Sequence, residues 1–397
     1  MAEQDEFIRV GTTLYKIVDQ PLIDGGRVKK RIAWNSETLR QDYGKDRMAT
    51  VPKYDGFCTV PDHVGYKPVV GKFLNLYEPI GHRPQEGSFP CIRSLVEHIF
   101  GEQYELGMDY LQLLYLQPVQ KLPILLLVSE ERNTGKSTFL NFLKAIFQDN
   151  VTFNTNEDFR SQFNSDWAGK LLIMVDEVLL NRREDSERLK NLSTTLSYKV
   201  EAKGKDRTEI AFFAKFVLCS NNEYLPVIID AGETRYWVRK INPLQNDDTN
   251  FLQKLKEEIP AFLFFLTQRE LSTEKESRMW FNPKLTHTAA LQKIIRSNRN
   301  RLEIEMAELF LDIMSNMNVE SVSFCLNDLM TLLIYSQVKA EKYQVRKVVQ
   351  EVWKLTSAPN SLSYTAYEIA PHRDCHYETK RKTGRFYTIT KEQLTAI

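Results

Sequence analysis

Apolar positions along this chain change their period several times, and each change predicts a different kind of element. Short alternating runs from Phe7 to Val18 and from Phe73 to Tyr77 predict strands, separated by turn clusters at Asp24-Gly25-Gly26, Asp55-Gly56 and Glu86-Gly87. Between Cys91 and Gln117 the spacing becomes helical, first through Ile92, Leu95, Val96 and Ile99, then through Leu106, Tyr110, Leu113 and Leu114. Gly101 predicts a break between them, and so a helical hairpin. From Pro123 to about Asn242 the apolar runs Ile124 to Val128, Leu171 to Val175 and Phe216 to Cys219 are unbroken. Runs of that length without alternation belong to strands covered on both faces, as in the middle of an α/β sheet. Phe251 to Phe265 and Leu285 to Ile313 are helical in spacing, with Pro260 predicting a kink. Helices at Leu326 to Ser336 and Tyr343 to Leu355 precede strand-like runs at Ser363 to Ile369 and Arg385 to Ile389, the order of a winged-helix module.

Composition narrows the class. With 397 residues, 42% hydrophobic and 26% charged, the chain has the make-up of a globular protein of two or three domains. No apolar run approaches the ~20 residues of a membrane span, and the acidic start Met-Ala-Glu-Gln-Asp-Glu is unlike a secretory signal, so a cytoplasmic protein without membrane contact is expected. The five cysteines are scattered and odd in number, which reads as reduced thiols. His372, Cys375 and His376 are three potential metal ligands with no fourth nearby, and the reading preferred is a polar turn. A formal net charge of +1 says nothing about nucleic acid, so any such partner must be argued from local patches.

The strongest local chemistry is the run Ser129-Glu130-Glu131-Arg132-Asn133-Thr134-Gly135-Lys136-Ser137-Thr138 between an apolar strand and a helix from Phe139 to Phe147. A phosphate-binding loop requires that context, because backbone N–H groups and the positive end of the helix must converge on the phosphates. Asn133, Thr134, Gly135, Lys136, Ser137 and Thr138 are the expected nucleotide-binding residues. Lys136 is suited to the β- and γ-phosphates, and the Ser137 hydroxyl to Mg²⁺. Glu130 stands where the usual pattern has its first glycine. About forty residues further on, Leu171-Leu172-Ile173-Met174-Val175-Asp176-Glu177 is an apolar strand ending in two acids. Asp176 would hold Mg²⁺ and Glu177 would polarise the attacking water. The third strand runs into Ser220-Asn221-Asn222, where Asn221 is the preferred sensor of the γ-phosphate. Between acids and sensor, Leu196 to Ile210 reads as a hairpin whose tip carries Lys203, Lys205 and Arg207 around Gly204. Such a tip suits a phosphate backbone, or else only keeps a hairpin soluble. Lys380, Arg381, Lys382 and Arg385 around the wing leave the same two readings open.

The order Asn-Thr-Gly-Lys-Ser, Asp-Glu, Lys-Gly-Lys and Ser-Asn resembles the superfamily 3 helicases of phages and mobile replicons. It is particularly similar to the helicase portions of phage primase-polymerase-helicase proteins and to poxvirus-type primase-helicases. The match covers Leu106 to Ile241, about a third of the chain. It implies an α/β fold with an AAA+-like P-loop NTPase core, hydrolysing ATP with Mg²⁺, assembled as a homo-oligomer, in that family a hexameric ring, that translocates on single-stranded DNA with 3′ to 5′ polarity. It also implies an arginine supplied by the neighbouring subunit, for which Arg235 matches best and Arg239 is the reserve. Packing on Tyr236 or Trp237 is the plainer role for such an arginine.

The expected division is 1–90, a mixed α+β region of unreadable role; 91–120, a helical collar or linker; 121–245, the P-loop ATPase core; 246–320, a helical region; and 321–397, a winged-helix-like domain. No fused primase site is legible, so a priming partner would be a separate primase or polymerase. Two rival functions stay open: a ring ATPase that remodels nucleic acid without processive unwinding, and a nucleotide-gated origin-binding module.

Overall fold

In the computed structural model, which describes residues 6–21, 27–159, 167–200, 208–230, 232–244, 248–370 and 377–395, the alternating N-terminal runs form two small sheets. Strands β1 (Glu6–Val10), β2 (Thr13–Pro21) and β3 (Arg27–Trp34) make an antiparallel meander. Helices α1 (Ser36–Tyr43) and α2 (Arg47–Thr50) lead to β4 (Lys53–Tyr54), which pairs parallel to β1. Phe7, Leu14, Leu39 and Val51 form the core beneath it. The second sheet has β5 (Gly56–Cys58), β6 (Val69–Val70) and β7 (Phe73–Asn75), with β7 in the middle.

The chain forms two compact units: Met1–Leu179 with Glu187–Asn222 and Thr234–Thr288, and Leu180–Ser186 with Glu223–Glu233 and Ala289–Ile397. In the first, the predicted helical hairpin is α3 (Pro90–Phe100) and α4 (Tyr104–Leu116). Pro90 opens α3 at a position where a missing N–H costs nothing, and Gly101 ends it at φ 49, a left-handed value that favours glycine. Then follow β8 (Ile124–Val128), α5 (Lys136–Phe147), β9 (Val151–Phe153), β10 (Leu172–Val175), α6 (Arg183–Thr194), which begins in the second unit and belongs to the first from Glu187, β11 (Ser197–Val200), β12 (Thr208–Ala211), β13 (Lys215–Ser220) and β14 (Tyr236–Lys240). Apart from the antiparallel pair β11–β12, these strands make one parallel sheet in the order β14-β8-β13-β10-β9. The unbroken apolar runs are thus explained: β8, β10 and β13 are buried along their whole length, on both faces of the sheet. The sheet packs with α3, α4, α5 and α7 (Phe251–Gln268) through residues such as Val96, Leu113, Phe139 and Phe262.

Pro260, where a kink is expected, lies inside α7, which continues past it along the buried stripe Leu255, Ile259, Phe262, Leu263 and Leu266. One helix expectation is corrected. The helix expected from Leu285 to Ile313 is split into α8 (Pro283–Thr286) and α9 (Ala289–Met317), and the first unit ends at Thr288 between them.

The second unit continues from α9 through β15 (Ser321–Phe324), α10 (Leu326–Tyr335) and α11 (Lys342–Lys347), which widens into a π-helical turn at Val348–Val352. Strands β16 (Leu362–Ile369), β17 (Tyr377–Gly384) and β18 (Tyr387–Thr390) precede the short α12 (Lys391–Thr395). The expected pairing of Ser363 to Ile369 with Arg385 to Ile389 does not occur. Strand β16 pairs with β17, and β18 pairs antiparallel with β15. Strand β17 escaped notice because Tyr377 is its one buried residue, which leaves no apolar alternation to read.

A buried polar knot ties α4 to the chain beyond α7. Asp109, fully buried, accepts from the Arg269 guanidinium at 2.5 Å, from the Ser272 amide at 3.0 Å and from the hydroxyls of Ser272 and Thr273 at 2.9 and 2.7 Å. Removing one side of such a knot strands the other in low dielectric. Asp109→Ala should therefore cost about 3–5 kcal/mol in urea denaturation. Lys254→Ala, which breaks only the exposed pair with Asp248, should leave the urea midpoint close to wild type. Equal midpoints for the two variants would overturn this account.

Candidate active site

The burial of Ile124–Val128 aims the carboxyl end of β8 at the loop from Ser129 to Gly135. Gly135 caps α5 at φ 80, and Asn133 is also left-handed at φ 54. Glycine is required at the first of these and tolerated residues such as asparagine serve at the second. Glu130 is not among the positive-φ residues described, so the loop makes no glycine-like demand there, and the departure from the usual pattern costs the backbone nothing. Lys136 is buried at the start of α5, where its ammonium donates to Ser129 Oγ and, at 3.0 Å, to Thr134 Oγ1. The loop backbone is braced from outside: His98 Nε2 donates to the Thr134 carbonyl at 3.0 Å, and the Leu244 amide to the Asn133 carbonyl at 3.0 Å. Thr138 is half-buried in the first turn of α5.

Two contacts draw the remaining residues together. Ser137 Oγ donates to Asp176 Oδ2 at 2.7 Å, and Asn221 Nδ2 donates to Glu177 Oε1 at 3.1 Å. Because β13 lies between β8 and β10, the ends of three adjacent strands deliver the loop, the amide and the acids to one edge of the sheet. That edge, outside the carboxyl ends of parallel strands, is where open α/β sheets bind ligands. Glu177 sits at φ 63, a strained value for a residue with a side chain that persists only when its surroundings hold it. Here they do. The Glu177 carbonyl accepts from Asn156 Nδ2 at 3.1 Å, the Leu179 amide donates to Asn156 Oδ1 at 2.9 Å, and the Val178 amide donates to the Cys219 carbonyl at 2.6 Å. The Ser220 hydroxyl closes the clamp on the Val178 carbonyl at 2.9 Å.

Ser129, His98, Asn156 and Ser220 are thus site residues that sequence reasoning missed or left without a role. Only Ser129 and Ser220, next to motifs already singled out, carried a signal. Asn156 follows β9 in a polar turn that looks like any other. Cys219, directly below the site, is packing: burial, and then the Asp176 carboxylate, push its thiol well above the ordinary range.

Ser137, in the first turn of α5, and Asp176, directly after β10, are hard oxygen donors in contact with each other, and so fit Mg²⁺, which takes one or two protein oxygens and completes its shell with water and phosphate. When bound, that ion would supply positive charge against the charge developing on the phosphate.

Other expected residues lie elsewhere. Arg235 precedes β14, and its carbonyl accepts from the Ile124 amide at 2.8 Å, at the amino end of β8. The loop from Ser129 to Gly135 is at the other end of that strand, roughly 13 Å away for four residue steps. Arg239, the reserve, is buried: it pairs with Glu102 at 2.6 Å and donates to the Phe100 carbonyl at 2.7 Å. Lys203, Lys205 and Arg207 lie outside the described residues, as do His372, Cys375 and His376; the flanking strands β11 and β12 pair antiparallel. Among the described residues no group of His, Cys, Asp or Glu is placed to hold a metal ion by three ligands. In the second unit, Lys382 is engaged by Asp328 at 2.7 Å and Glu368 at 2.8 Å, and Lys380 by Glu368 at 3.3 Å. Arg381 donates to Ser363 Oγ at 3.1 Å, and Arg385 is exposed. The basic run on β17 is therefore partly neutralised from within.

Among the described residues no helix is long and apolar enough to cross a membrane. Residues 127–236, from the end of β8 to the start of β14, match a family model described as "Family of unknown function (DUF5906)". No curated protein matches the chain in sequence. Among solved structures, an A-form apo structure of the NrS-1 C-terminal region aligns over 96% of this chain and 95% of that chain, with a TM-score of 0.58 and 17% identity. Another apo structure of that region covers the same shares, with a TM-score of 0.56 and 16% identity. At such identities the likeness is one of fold: a mixed α/β architecture with a parallel sheet, shared along nearly the whole of both chains.

Proposed function

We propose that this chain is an ATP hydrolase of the superfamily 3 helicase type, with an AAA+-like P-loop core, that translocates on single-stranded DNA as a homo-oligomeric ring in phage or mobile-element replication. The observation that carries the reading is the paired contact Ser137–Asp176 and Asn221–Glu177 at adjacent strand ends. In that arrangement Lys136 exchanges Ser129 and Thr134 for β- and γ-phosphate oxygens, assisted by the N-terminus of α5. Ser137 and Asp176 would hold Mg²⁺. Glu177, held in its strained backbone position, accepts a proton from the attacking water, and Asn221 orients that water against the γ-phosphate. Oligomerisation is supported by the place of Arg235 at the far end of β8, where it is suited to a neighbour's site and not to its own. A winged-helix reading of the second unit is supported by its element order, although the ion pairs on β17 favour the β11–β12 hairpin as the main DNA contact. A separate primase or polymerase completes the expected partners.

Three sets of variants test this. Lys136→Ala should weaken Mg·ATP binding by about a hundredfold or more, whereas Glu177→Gln should bind normally and turn over about 10²–10⁴-fold more slowly. Wild-type turnover by Glu177→Gln would remove the catalytic assignment.

Arg235→Ala should bind ATP yet poison mixed assemblies, so that activity falls faster than the mutant fraction rises. Arg239→Ala should instead lower stability, since it strands a buried network. A linear decline with Arg235→Ala, or ATPase activity independent of protein concentration, would count against the ring.

Lys203→Ala with Lys205→Ala should reduce the slope of log affinity against log salt by ~1.4 for single-stranded DNA, at ~0.7 per phosphate contact. Basal ATPase should persist while DNA stimulation and forked-duplex unwinding are lost. Full stimulation and unwinding in this variant would refute the hairpin as the grip.

A further inference from the structure

The polypeptide passes from the first unit to the second, or back, next to each candidate catalytic group. It enters the second unit at Leu180, three residues after Glu177, and again at Glu223, directly after Asn221-Asn222. It returns to the first unit at Thr234, one residue before Arg235. The two excursions, Leu180–Ser186 and Glu223–Glu233, are joined to each other. Leu180 and Val227 form a parallel bridge in which the Leu180 amide donates to the Pro226 carbonyl at 2.8 Å. The buried Ser186 hydroxyl accepts from the Ile228 amide at 3.1 Å and reaches the Leu180 carbonyl at 3.4 Å. Arg183 then pairs with Asp230 at 3.5 Å and with Glu341, ahead of α11, at 3.8 Å, while Gln344 of α11 donates to Asp230 at 3.4 Å.

Both segments carry fully buried apolar side chains, Leu180 on one and Val227 and Ile229 on the other. Within the second unit both border a cavity of about 1140 Å³, walled on its other sides by α9 and by the region of α11. On that open side the Arg183–Asp230 pair spans the two segments. We infer that Arg183 and Asp230, braced by Ser186, form a latch that sets the spacing between the segment leaving Glu177 and the segment running from Asn221 towards Arg235. They are positioning residues: neither lies among the groups that meet nucleotide, and each acts through the backbone that carries one. A displacement of about 1 Å at such groups costs on the order of a hundredfold in rate, so a loosened latch lowers turnover without removing a binding contact. The inference rests on the hydrolysis proposed above.

The test uses the full chain carrying Arg183→Gln, Asp230→Asn, both together, or Arg183→Lys, with ATPase kcat, Mg·ATP Kd and Tm measured for each. We expect kcat to fall about 5–20-fold in each charge-removing variant while Kd stays within about twofold. The double variant should be no slower than the worse single one, because one interaction is being removed twice. Arg183→Lys, which keeps the charge, should recover to within about threefold of wild type. Unchanged kcat, losses that multiply in the double variant, or a Kd that worsens as much as kcat would each overturn the latch. Wild-type protein without any turnover would reject the hydrolysis reading itself, whereas wild-type turnover with unaffected variants would reject the latch alone.

Discussion

One topological constraint organises the first unit: β13, late in the chain, pairs on both sides with strands that come before it. With β13 between β8 and β10, and all three parallel, the chain must deliver Ser129, Ser220 and Asp176 to the same edge of the sheet. Parallel strands leave their carboxyl-end loops without ladder partners, and the polar groups of those loops must bond to each other or to a ligand. In this chain they do the former. The Val178 amide meets the Cys219 carbonyl, the Ser220 hydroxyl meets the Val178 carbonyl, and the Ser129 amide meets the Ser220 carbonyl at 3.2 Å. The stiffness of the site thus comes from hydrogen bonds between neighbouring strand ends. The energy behind that order comes from below, where fully buried side chains of β8, β10 and β13 each contribute roughly 1.5–3 kcal/mol by leaving water.

The opposite edge is built differently. Lys215 opens β13 fully buried and donates to the Pro118 carbonyl, and Lys121 donates to the Phe212 carbonyl at 2.7 Å. Burial drives the Lys215 ammonium well below its ordinary range, with the nearby Lys121 adding to the effect, and burial brings Lys121 down to about 8. These two amines cap carbonyls of irregular backbone where the chain turns into the sheet. Their role is structural: they satisfy acceptors in a region of low dielectric that would otherwise hold orphaned groups. The sheet therefore has one edge whose acids are exposed to solvent and one whose lysines are withdrawn from it.

What was legible in the sequence follows from this architecture. Unbroken apolar runs marked the three central strands because burial on both faces removes alternation, and Gly101 marked a helix end because its backbone has a positive φ. The order of strands was not legible, since Leu172 and Phe216 have the same local pattern whichever neighbour they pair with. Asn156 was invisible for a related reason: its bonds reach residues more than twenty positions away, and a polar turn residue carries no mark of its partner. Strand β17 shows the converse, an element held by its ladder to β16 and by ion pairs with Asp328 and Glu368, where hydrophobic periodicity had nothing to report.

The parallel register also bears on how a site of this kind is completed. Because Tyr236 pairs with Ile124 and Lys240 with Val128, β14 runs the full length of β8, and Arg235 is held at the end away from the chain's own phosphate loop. Moving it across would require unpairing a buried strand, at a cost far above what one arginine contact returns. Arg239, nearer the loop end of β14, is bound to Glu102 and the Phe100 carbonyl, and those bonds hold α3 to the sheet. No arginine of β14 is thus both near the site and free of a structural duty. On the reading proposed here, the arginine that joins Lys136 in stabilising the transition state comes from a neighbouring copy, and hydrolysis is tied to assembly by the register of a single strand pair.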